Sequence, residues 1–228
     1  MTGTVGRHPD GQGGPHAFVA DLEHPVLDDP DLHHLRRVLR LRDGDALTVS
    51  DGNGRWRPCT FGDTLELAGE IVEVTVPATV LTLGVALTKG AKPELAVQKA
   101  TELGIDRIVL FVSSRSIPRW DDNRTAKQLE RLRRVAREAS MQCRRVRVPS
   151  VEGLLDVAET RALPGVSIAD MGASPYAGQH TILVGPEGGW TDEERDGLPA
   201  VRLGPHVLRA ETAAIAAATL MAAHHRPS

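Results

Sequence analysis

The 228-residue chain contains, between residues 182 and 194, the segment Ile182-Leu-Val-Gly-Pro-Glu-Gly-Gly-Trp-Thr-Asp-Glu-Glu194. Its apolar, β-branched start predicts a buried strand that ends at Gly185-Pro186. Thr191 and the three acids after it predict the first turn of a helix. A glycine-rich loop between a strand and a helix exposes backbone N–H groups, which can contact a ligand closely. The alternative is a tight connection without a ligand, but three glycines and a proline within five residues favour a ligand-binding loop.

A second segment of the same kind is Leu203-Gly-Pro-His-Val-Leu-Arg-Ala-Glu-Thr-Ala213, where Gly-Pro again separates a short strand from a helix start. Arg209 and Glu211 lie at the predicted mouth of this loop. The simplest alternative is a capped helix with a local interaction between Arg209 and Glu211. Because ligands of α/β sheets bind at the carboxyl ends of strands, we expect the two Gly-Pro loops to flank one crevice.

The pattern of short apolar segments divides the chain at Pro77. Before it, short strands separated by Gly, Asp and Asn turns, with one helix at 31–41, predict a small β-barrel. After it, strands alternate with helices, which predicts a mostly parallel α/β sheet. We therefore expect two domains, 1–76 and 77–228, with a flexible start at residues 1–14. The strands of the second domain are expected at 80–87, 107–112, 166–169, 181–184 and 201–203, and its helices at 93–103, 123–142, 151–162 and 211–224.

Composition and missing motifs argue against several classes of protein. Cys59 and Cys143 lie far apart with no metal-binding spacing, and no apolar run reaches the ~20 residues of a membrane span. The polar, glycine-rich N-terminus lacks the apolar centre of a secretory signal. We therefore expect a cytoplasmic protein without a membrane or metal partner. The sequence has no Walker A loop, G-x-G-x-x-G fingerprint or G-x-S-x-G elbow, which argues against nucleotide hydrolysis, ordinary dinucleotide binding and α/β-hydrolase chemistry.

Positive charge is concentrated locally, although the net charge of the chain is −3. Residues 115–147 contain eleven Lys and Arg residues against four Asp and Glu residues, a net charge of +7, and residues 33–42 form a second basic cluster without acids. Lys89 and Lys92 follow a predicted strand, where a lysine can contact phosphate. An Arg-rich helix can be a solvated face, but basic clusters on two domains favour a clamp around a nucleic acid. The candidate RNA-binding residues are Arg36, Arg37, Arg40, Lys89, Arg134, Arg144 and Arg145.

Several segments, taken in order along the chain, resemble the RsmE family. They are Leu35–Leu41, Asp51-Gly52, Lys89-Gly90 with Gln98–Gly104, Glu138–Arg145, Thr181–Gly189 and Leu203–Ala213. Members of that family are 16S ribosomal RNA (uracil-1498-N3)-methyltransferases of the SPOUT class. The resemblance implies an N-terminal PUA-like RNA-binding β-barrel and a C-terminal SPOUT α/β domain with a deep trefoil knot. It also implies a homodimer, the cofactor S-adenosylmethionine and, as substrate, 16S rRNA of the small ribosomal subunit.

The resemblance also implies the residues of the site. Methylation of uracil N3 requires loss of its weakly acidic proton and stabilisation of negative charge on the carbonyl oxygens. We assign Arg209 to that stabilisation, and Glu211 to orienting Arg209 or accepting the proton. Met141 stands where the family commonly has an acid, which weakens a catalytic role there, and His206 stands where it often has an arginine. The implied cofactor-binding residues are Leu183, Gly185, Glu187, Gly188, Leu203, Gly204, Val207, Leu208 and Arg209.

Two alternative functions stay open at this stage. Gly-Pro-Glu-Gly loops also occur in SPOUT enzymes that methylate a ribose 2′-hydroxyl, although Leu208–Ala213 and the attached first domain favour uridine N3. A protein of this fold could also bind RNA during ribosome assembly without catalysis, although the intact loops argue against that. For the favoured reaction we expect a flipped or single-stranded uridine, because N3 is hidden in a base pair.

Overall fold

The computed structural model describes residues 8–88, 90 and 92–226. Contacts within the chain group it into two compact units, of which the first is Met1–Pro77 with Arg137–Val148 and the second is Ala78–Ala136 with Pro149–Ser228. The sequence-based division places residues 137–148 in the second domain, whereas the contacts group these residues with the first unit. Met141 packs against the apolar core of that unit, which a sequence pattern alone does not reveal. Of the start predicted to be flexible, residues 1–7 lie outside the described residues, and Gly11–Gly13 form a 3-10 turn.

The first unit contains a five-stranded sheet and a short helix. Strand β1 pairs in parallel with β2, and β3 pairs antiparallel with β2, β4 and β5. The predicted helix at 31–41 is instead α1 followed by a π-helical turn at His34–Val38. Asp28 caps the start of α1 by accepting a hydrogen bond from the Asp31 N–H. The elements are β1 (His16–Phe18), α1 (Asp29–His33), β2 (Ala46–Ser50), β3 (Arg55–Thr60), β4 (Glu66–Leu67) and β5 (Val72–Glu73).

The second unit contains a six-stranded sheet in which every pairing is parallel. The strand order is β11-β9-β10-β6-β7-β8, so the predicted α/β fold is confirmed. Leu83, Ile108 and Ile182, on three of its four inner strands, are completely buried, which explains the continuous apolar runs of these strands. The strands are β6 (Thr82–Ala86), β7 (Arg107–Phe111), β8 (Ser150–Leu155), β9 (Val166–Ala169), β10 (Thr181–Val184) and β11 (Ala200–Val201).

Five helices accompany this sheet. Pro93 suits the first turn of α2, and the chain leaves the helix at Gly104, whose φ of 90° favours glycine. None of the helices in the described part of the chain is both long and apolar enough to cross a membrane. They are α2 (Lys92–Glu102), α3 (Asp122–Gln142), α4 (Val157–Arg161), α5 (Asp192–Arg195) and α6 (Ala210–His225).

The helix predicted at 151–162 is wrong in its first half. Val151 pairs with Ile108 as part of β8, which extends the sheet, and the helix begins only after Asp156. Asp156 and Glu159 form a reciprocal capping box that fixes this start. The predicted strand at 201–203 is also shorter, since β11 ends at Val201. Strand pairing within the sheet, and not the local sequence pattern, therefore sets the bounds of β8 and β11.

Candidate functional site

The first glycine-rich loop leaves β10 at Gly185 and packs against the side chain of Trp190. The indole Nε1 donates a hydrogen bond to the Ala169 carbonyl at 3.0 Å, and the ring stacks on Phe111 with centroids 5.7 Å apart. A Cβ placed on Gly185 would lie 2.9 Å from Trp190 Cε2, closer than real side chains approach. Glycine is therefore required at position 185 by the close approach of the indole ring.

Side chains on both sides fix the shape of this loop. The Arg115 guanidinium donates to the carbonyls of Gly188 and Trp190, at 2.9 and 3.2 Å. The buried carboxylate of Glu194 accepts from the backbone N–H groups of Ser114 and Thr191, at 2.8 and 2.9 Å. Thr191 caps α5, as its sequence position predicted. The loop is thus held in one conformation by hydrogen bonds to its carbonyls and to its cap.

The second Gly-Pro loop connects β11 to α6. Arg209 is the N-cap residue of α6 and makes no side-chain capping bond, so its guanidinium is available to other groups. Val207 is 84% exposed, which is unusual for a valine and places an apolar side chain at the surface of the loop. This loop therefore presents one cationic and one apolar side chain without using either for packing.

Both loops line one cavity of about 450 Å³, as the two Gly-Pro segments predicted. A Cβ on Gly204 would meet no protein atom within 4 Å, so packing does not demand glycine at this position and its backbone is open to a ligand. The walls combine apolar side chains with charged groups of both signs. The lining residues are Ala169, Asp170, Met171, Val184, Gly185, Pro186, Glu187, Gly189, Trp190, Arg195, Leu203, Gly204, His206, Val207, Leu208, Arg209, Ala210 and Ala213.

The cavity brings together most of the residues expected to bind the cofactor. Leu183 is buried inside β10, and Gly188 lies against Arg115, so these two are outside the cavity lining. The cofactor roles of all nine residues stay predictions. The expected residues that line the cavity are Gly185, Glu187, Leu203, Gly204, Val207, Leu208 and Arg209.

Two lining residues that the sequence analysis missed are Asp170 and Arg195, which form an ion pair at the cavity. Asp170 also accepts a hydrogen bond from the Gly172 N–H at 2.8 Å. Its position directly after β9 is the signal that could have identified it, because ligands bind at the carboxyl ends of parallel strands. Arg195 carries no comparable signal, since it ends a helix of four residues.

The local contact between Arg209 and Glu211, which was the simplest alternative for this loop, is absent from the described residues, and Glu211 makes a long-range contact instead. In the part of the chain that the structure describes, Glu211 is ion-paired with Lys92 at 3.7 Å, and no ion pair joins it to Arg209. Lys92 also donates a hydrogen bond to Glu187, and this bond raises the pKa of the lysine above its ordinary value. Glu211 does not line the cavity, whereas Glu187 and Arg209 do.

The candidate RNA-binding residues differ in their availability. Arg36 is hydrogen-bonded to Asp63 at 2.6 Å, and Arg144 donates to the Asp10 carbonyl at 2.6 Å, so both are engaged within the first unit. Lys89 lies outside the described residues. Arg145 is half-buried, whereas Arg36, Arg37, Arg40 and Arg134 are exposed. Of these four, Arg37, Arg40 and Arg134 are not tied to Asp63 as Arg36 is. Their role in RNA binding stays a prediction.

Comparison with known sequence families gives the class of the protein. A family described as RNA methyltransferase domain matches residues 76–222, and one described as RNA methyltransferase PUA domain matches residues 27–64. The fold, the two-loop cavity and these matches define an RNA methyltransferase with a PUA domain.

Individual relatives narrow the class to a family. Ribosomal RNA small subunit methyltransferase E of Mycobacterium tuberculosis is 35% identical over 226 residues, covering 84% of this chain and 83% of that protein. The protein of the same name from Synechocystis sp. is 34% identical over 216 residues, covering 82% and 69%. The chain therefore belongs to the ribosomal RNA small subunit methyltransferase E family, and the resemblance to RsmE is confirmed.

Solved structures agree with this assignment. Ribosomal RNA small subunit methyltransferase E from Neisseria gonorrhoeae, bound to S-adenosyl methionine, superposes with a TM-score of 0.75 at 28% identity. A Legionella pneumophila protein described as a methyltransferase and solved with the bound cofactor SAM gives a TM-score of 0.79 at 26% identity. Each comparison covers 91% of this chain and 96% of the other. The two proteins share the fold of this chain over nearly its whole length.

Proposed function

We propose that this protein transfers a methyl group from S-adenosylmethionine to N3 of a uridine in 16S rRNA, at uracil 1498 of the small ribosomal subunit. The observation that carries the proposal is the cavity enclosed by the two Gly-Pro loops, in a chain that belongs to a family of rRNA methyltransferases. The cofactor is the molecule bound in the two related structures.

The residues of the cavity suit this cofactor. Its volume of about 450 Å³ lies in the range of roughly 300–1,000 Å³ that is usual for small-molecule sites. Val184, Leu203 and Leu208 offer apolar surface to a purine ring, and the charged lining residues can pair with an ammonium and a carboxylate. When bound, the cofactor supplies an electrophilic methyl group on a sulfonium. The open backbone at Gly204 supports its assignment to cofactor contact.

The chain itself must activate and hold the uracil. Loss of the N3 proton leaves negative charge on the ring, shared with the carbonyl oxygens, and a fixed cation close to these oxygens stabilises it. We assign this role to Arg209, whose guanidinium lines the cavity and is not used for capping. Glu211 lies in the first turn of α6 and outside the lining, which favours an indirect role of its carboxylate over direct proton transfer.

The finer architecture is also part of the proposal. We assign the boundaries 1–76 and 77–228 to a PUA-like β-barrel and a SPOUT domain with a deep trefoil knot, and we expect a cytoplasmic homodimer. Membership in the family supports these assignments. The exposed Arg37, Arg40 and Arg134 support an RNA-binding role, because exposed guanidinium groups can contact phosphates without a rearrangement.

The decisive experiment combines a methylation assay with nucleoside mass spectrometry. Purified protein and labelled S-adenosylmethionine are incubated with small ribosomal subunits or with naked 16S rRNA from a strain that lacks the enzyme. We expect 3-methyluridine at one position. A ribose-methylated nucleoside would favour the 2′-hydroxyl alternative, and cofactor binding without methyl transfer to either RNA would favour a non-catalytic assembly protein.

A further inference from the structure

Three charged side chains from distant parts of the second unit meet at the start of α2. Lys92, the first residue of this helix, donates a hydrogen bond to Glu187 in the first glycine-rich loop. The Lys92 Nζ also lies 3.7 Å from the Glu211 Oε2 in the first turn of α6. One ammonium group therefore contacts carboxylates from both segments that build the cavity.

Glu211 depends on this ammonium for its electrostatic balance. Its side chain is only 16% exposed, and its Oε2 has no hydrogen-bond partner among the described residues. A carboxylate withdrawn from water is costly unless a positive charge or hydrogen bonds compensate it. Lys92 is the cation with which the described structure pairs it.

The two carboxylates favour the protonated form of Lys92. The hydrogen bond to Glu187 raises the pKa of the lysine most, and the fields of Glu187 and Glu211 add to this effect. The positive charge of Arg209 acts in the opposite direction. The contacts with Glu187 and Glu211 thus stabilise the ammonium between the two segments that build the cavity.

We propose that Lys92 is a positioning residue of the methyl-transfer site, which ties the first glycine-rich loop to the start of α6, next to Arg209, through its contacts with Glu187 and Glu211. It does not line the cavity and acts through its two carboxylate partners. The inference rests on the proposed function, because it assigns Lys92 a part in the same reaction. Its geometric core, one ammonium that contacts two carboxylates, is independent of the substrate.

Three variants test the proposal. Lys92→Met removes the charge and keeps most of the side-chain volume, whereas Lys92→Arg keeps the charge. Lys99→Met is the matched control, because Lys99 lies on the same helix and pairs only with Glu102 in the described structure, at 2.8 and 2.9 Å. Circular dichroism and thermal unfolding establish that each variant is folded before activity is compared.

The kinetic arm measures kcat and KM with small ribosomal subunits, and cofactor affinity by calorimetry. In K92M we expect kcat to fall by about tenfold to a hundredfold, as for a misplaced catalytic group, with a smaller change in cofactor affinity. K92R should restore most of kcat, because its guanidinium can contact the same two carboxylates. K99M should match the wild type.

Two results would overturn the proposal. The first is a K92M protein with the kcat of the wild type. The second is a loss of kcat in K92M that K92R does not recover, which is the behaviour of a merely structural residue.

A second arm separates this proposal from the proposed function. Urea unfolding of K92M, E211Q and the K92M/E211Q double variant measures whether the two side chains interact in the folded protein. The loss of unfolding free energy in the double variant should be smaller than the sum of the two single losses, because either substitution already breaks the contact between Lys92 and Glu211. Losses that simply add would refute the contact on which the proposal rests, even if the wild-type protein failed to methylate rRNA, a failure that would refute the proposed function.

Discussion

Lowering the pH should destabilise the first unit through one buried histidine. His16 on β1 is only 3% exposed, and its ring nitrogens Nδ1 and Nε2 lie 2.9 and 3.0 Å from the hydroxyl oxygens of Thr48 and Ser50. The Thr48 hydroxyl donates its proton to the Pro15 carbonyl, so its oxygen accepts from the His16 Nδ1–H. The neutral ring is therefore fully satisfied, and burial lowers the pKa of His16 from 6.5 to about 4.

The sign and size of the effect follow from this pKa. Between pH 6.5 and 4 the unfolded chain binds a proton at His16 that the folded chain does not bind, so the free energy of unfolding decreases as the pH falls. The contribution of the neutral, buried His16 ring to the free energy of unfolding is fully present above pH 6.5. Each pH unit within the window costs about 1.4 kcal/mol, and the whole window costs about 3 kcal/mol.

Urea unfolding followed by circular dichroism at pH 7 and pH 5 measures the effect. We expect the wild type to lose about 2 kcal/mol over this interval, and a His16→Gln variant to lose much less, since it has no titrating ring at this position. His24→Gln is the matched control, because His24 is an exposed histidine of the same unit. A His16→Gln protein with the same pH dependence as the wild type would show that the reasoning is wrong.

Four further predictions concern the site and its surroundings. Gly185→Ala should weaken cofactor binding by at least about tenfold in calorimetry, because the new methyl group displaces the Trp190 indole. Arg209→Ala should lower kcat by about a hundredfold or more at saturating cofactor, and full turnover with normal cofactor binding would refute its assigned role. Glu194→Gln should reduce the free energy of unfolding by about 1–2 kcal/mol in denaturant titrations, because an amide cannot accept both backbone hydrogen bonds at its two terminal atoms. Arg134→Ala should reduce the salt dependence of RNA binding by about one phosphate contact, and an unchanged slope would remove this residue from the interface.

The loops of the site could be predicted because their chemistry is local. A strand that ends at Gly185-Pro186 and a cap at Thr191 follow from the preferences of neighbouring residues. The partners of the loops could not be predicted in this way. Lys92 is 95 residues away from Glu187, and only the parallel order of the strands brings them into contact. Leu183 is buried, as its place in the predicted buried strand indicates, although the family resemblance assigned it to the cofactor.

The boundaries of the two units also could be predicted only in part from the sequence. The sequence marks Pro77 as a change of pattern, but it contains no sign that residues 137–148 belong to the earlier unit. Arg137 is hydrogen-bonded to both carboxylate oxygens of Asp31, at 3.2 and 2.6 Å, across 106 residues of sequence. The sequence predicts a helix over 151–162, whereas pairing with β7 makes Ser150–Leu155 a strand.

The first unit contains two separate segments of the chain, which affects its folding during synthesis. Arg147 donates hydrogen bonds to the carbonyls of Asn53 and Val74, and the Gly54 N–H donates to the Val146 carbonyl at 3.0 Å. During synthesis the first unit therefore cannot form all of its hydrogen bonds until residue 148 has been added to the chain. By then β6 and β7 have already been synthesised. A fragment that stops at residue 76 would leave these partners unmatched and part of the apolar core uncovered. The first unit thus combines two segments that are synthesised at different times, and a cut at Pro77 would separate the first segment from Arg137–Val148.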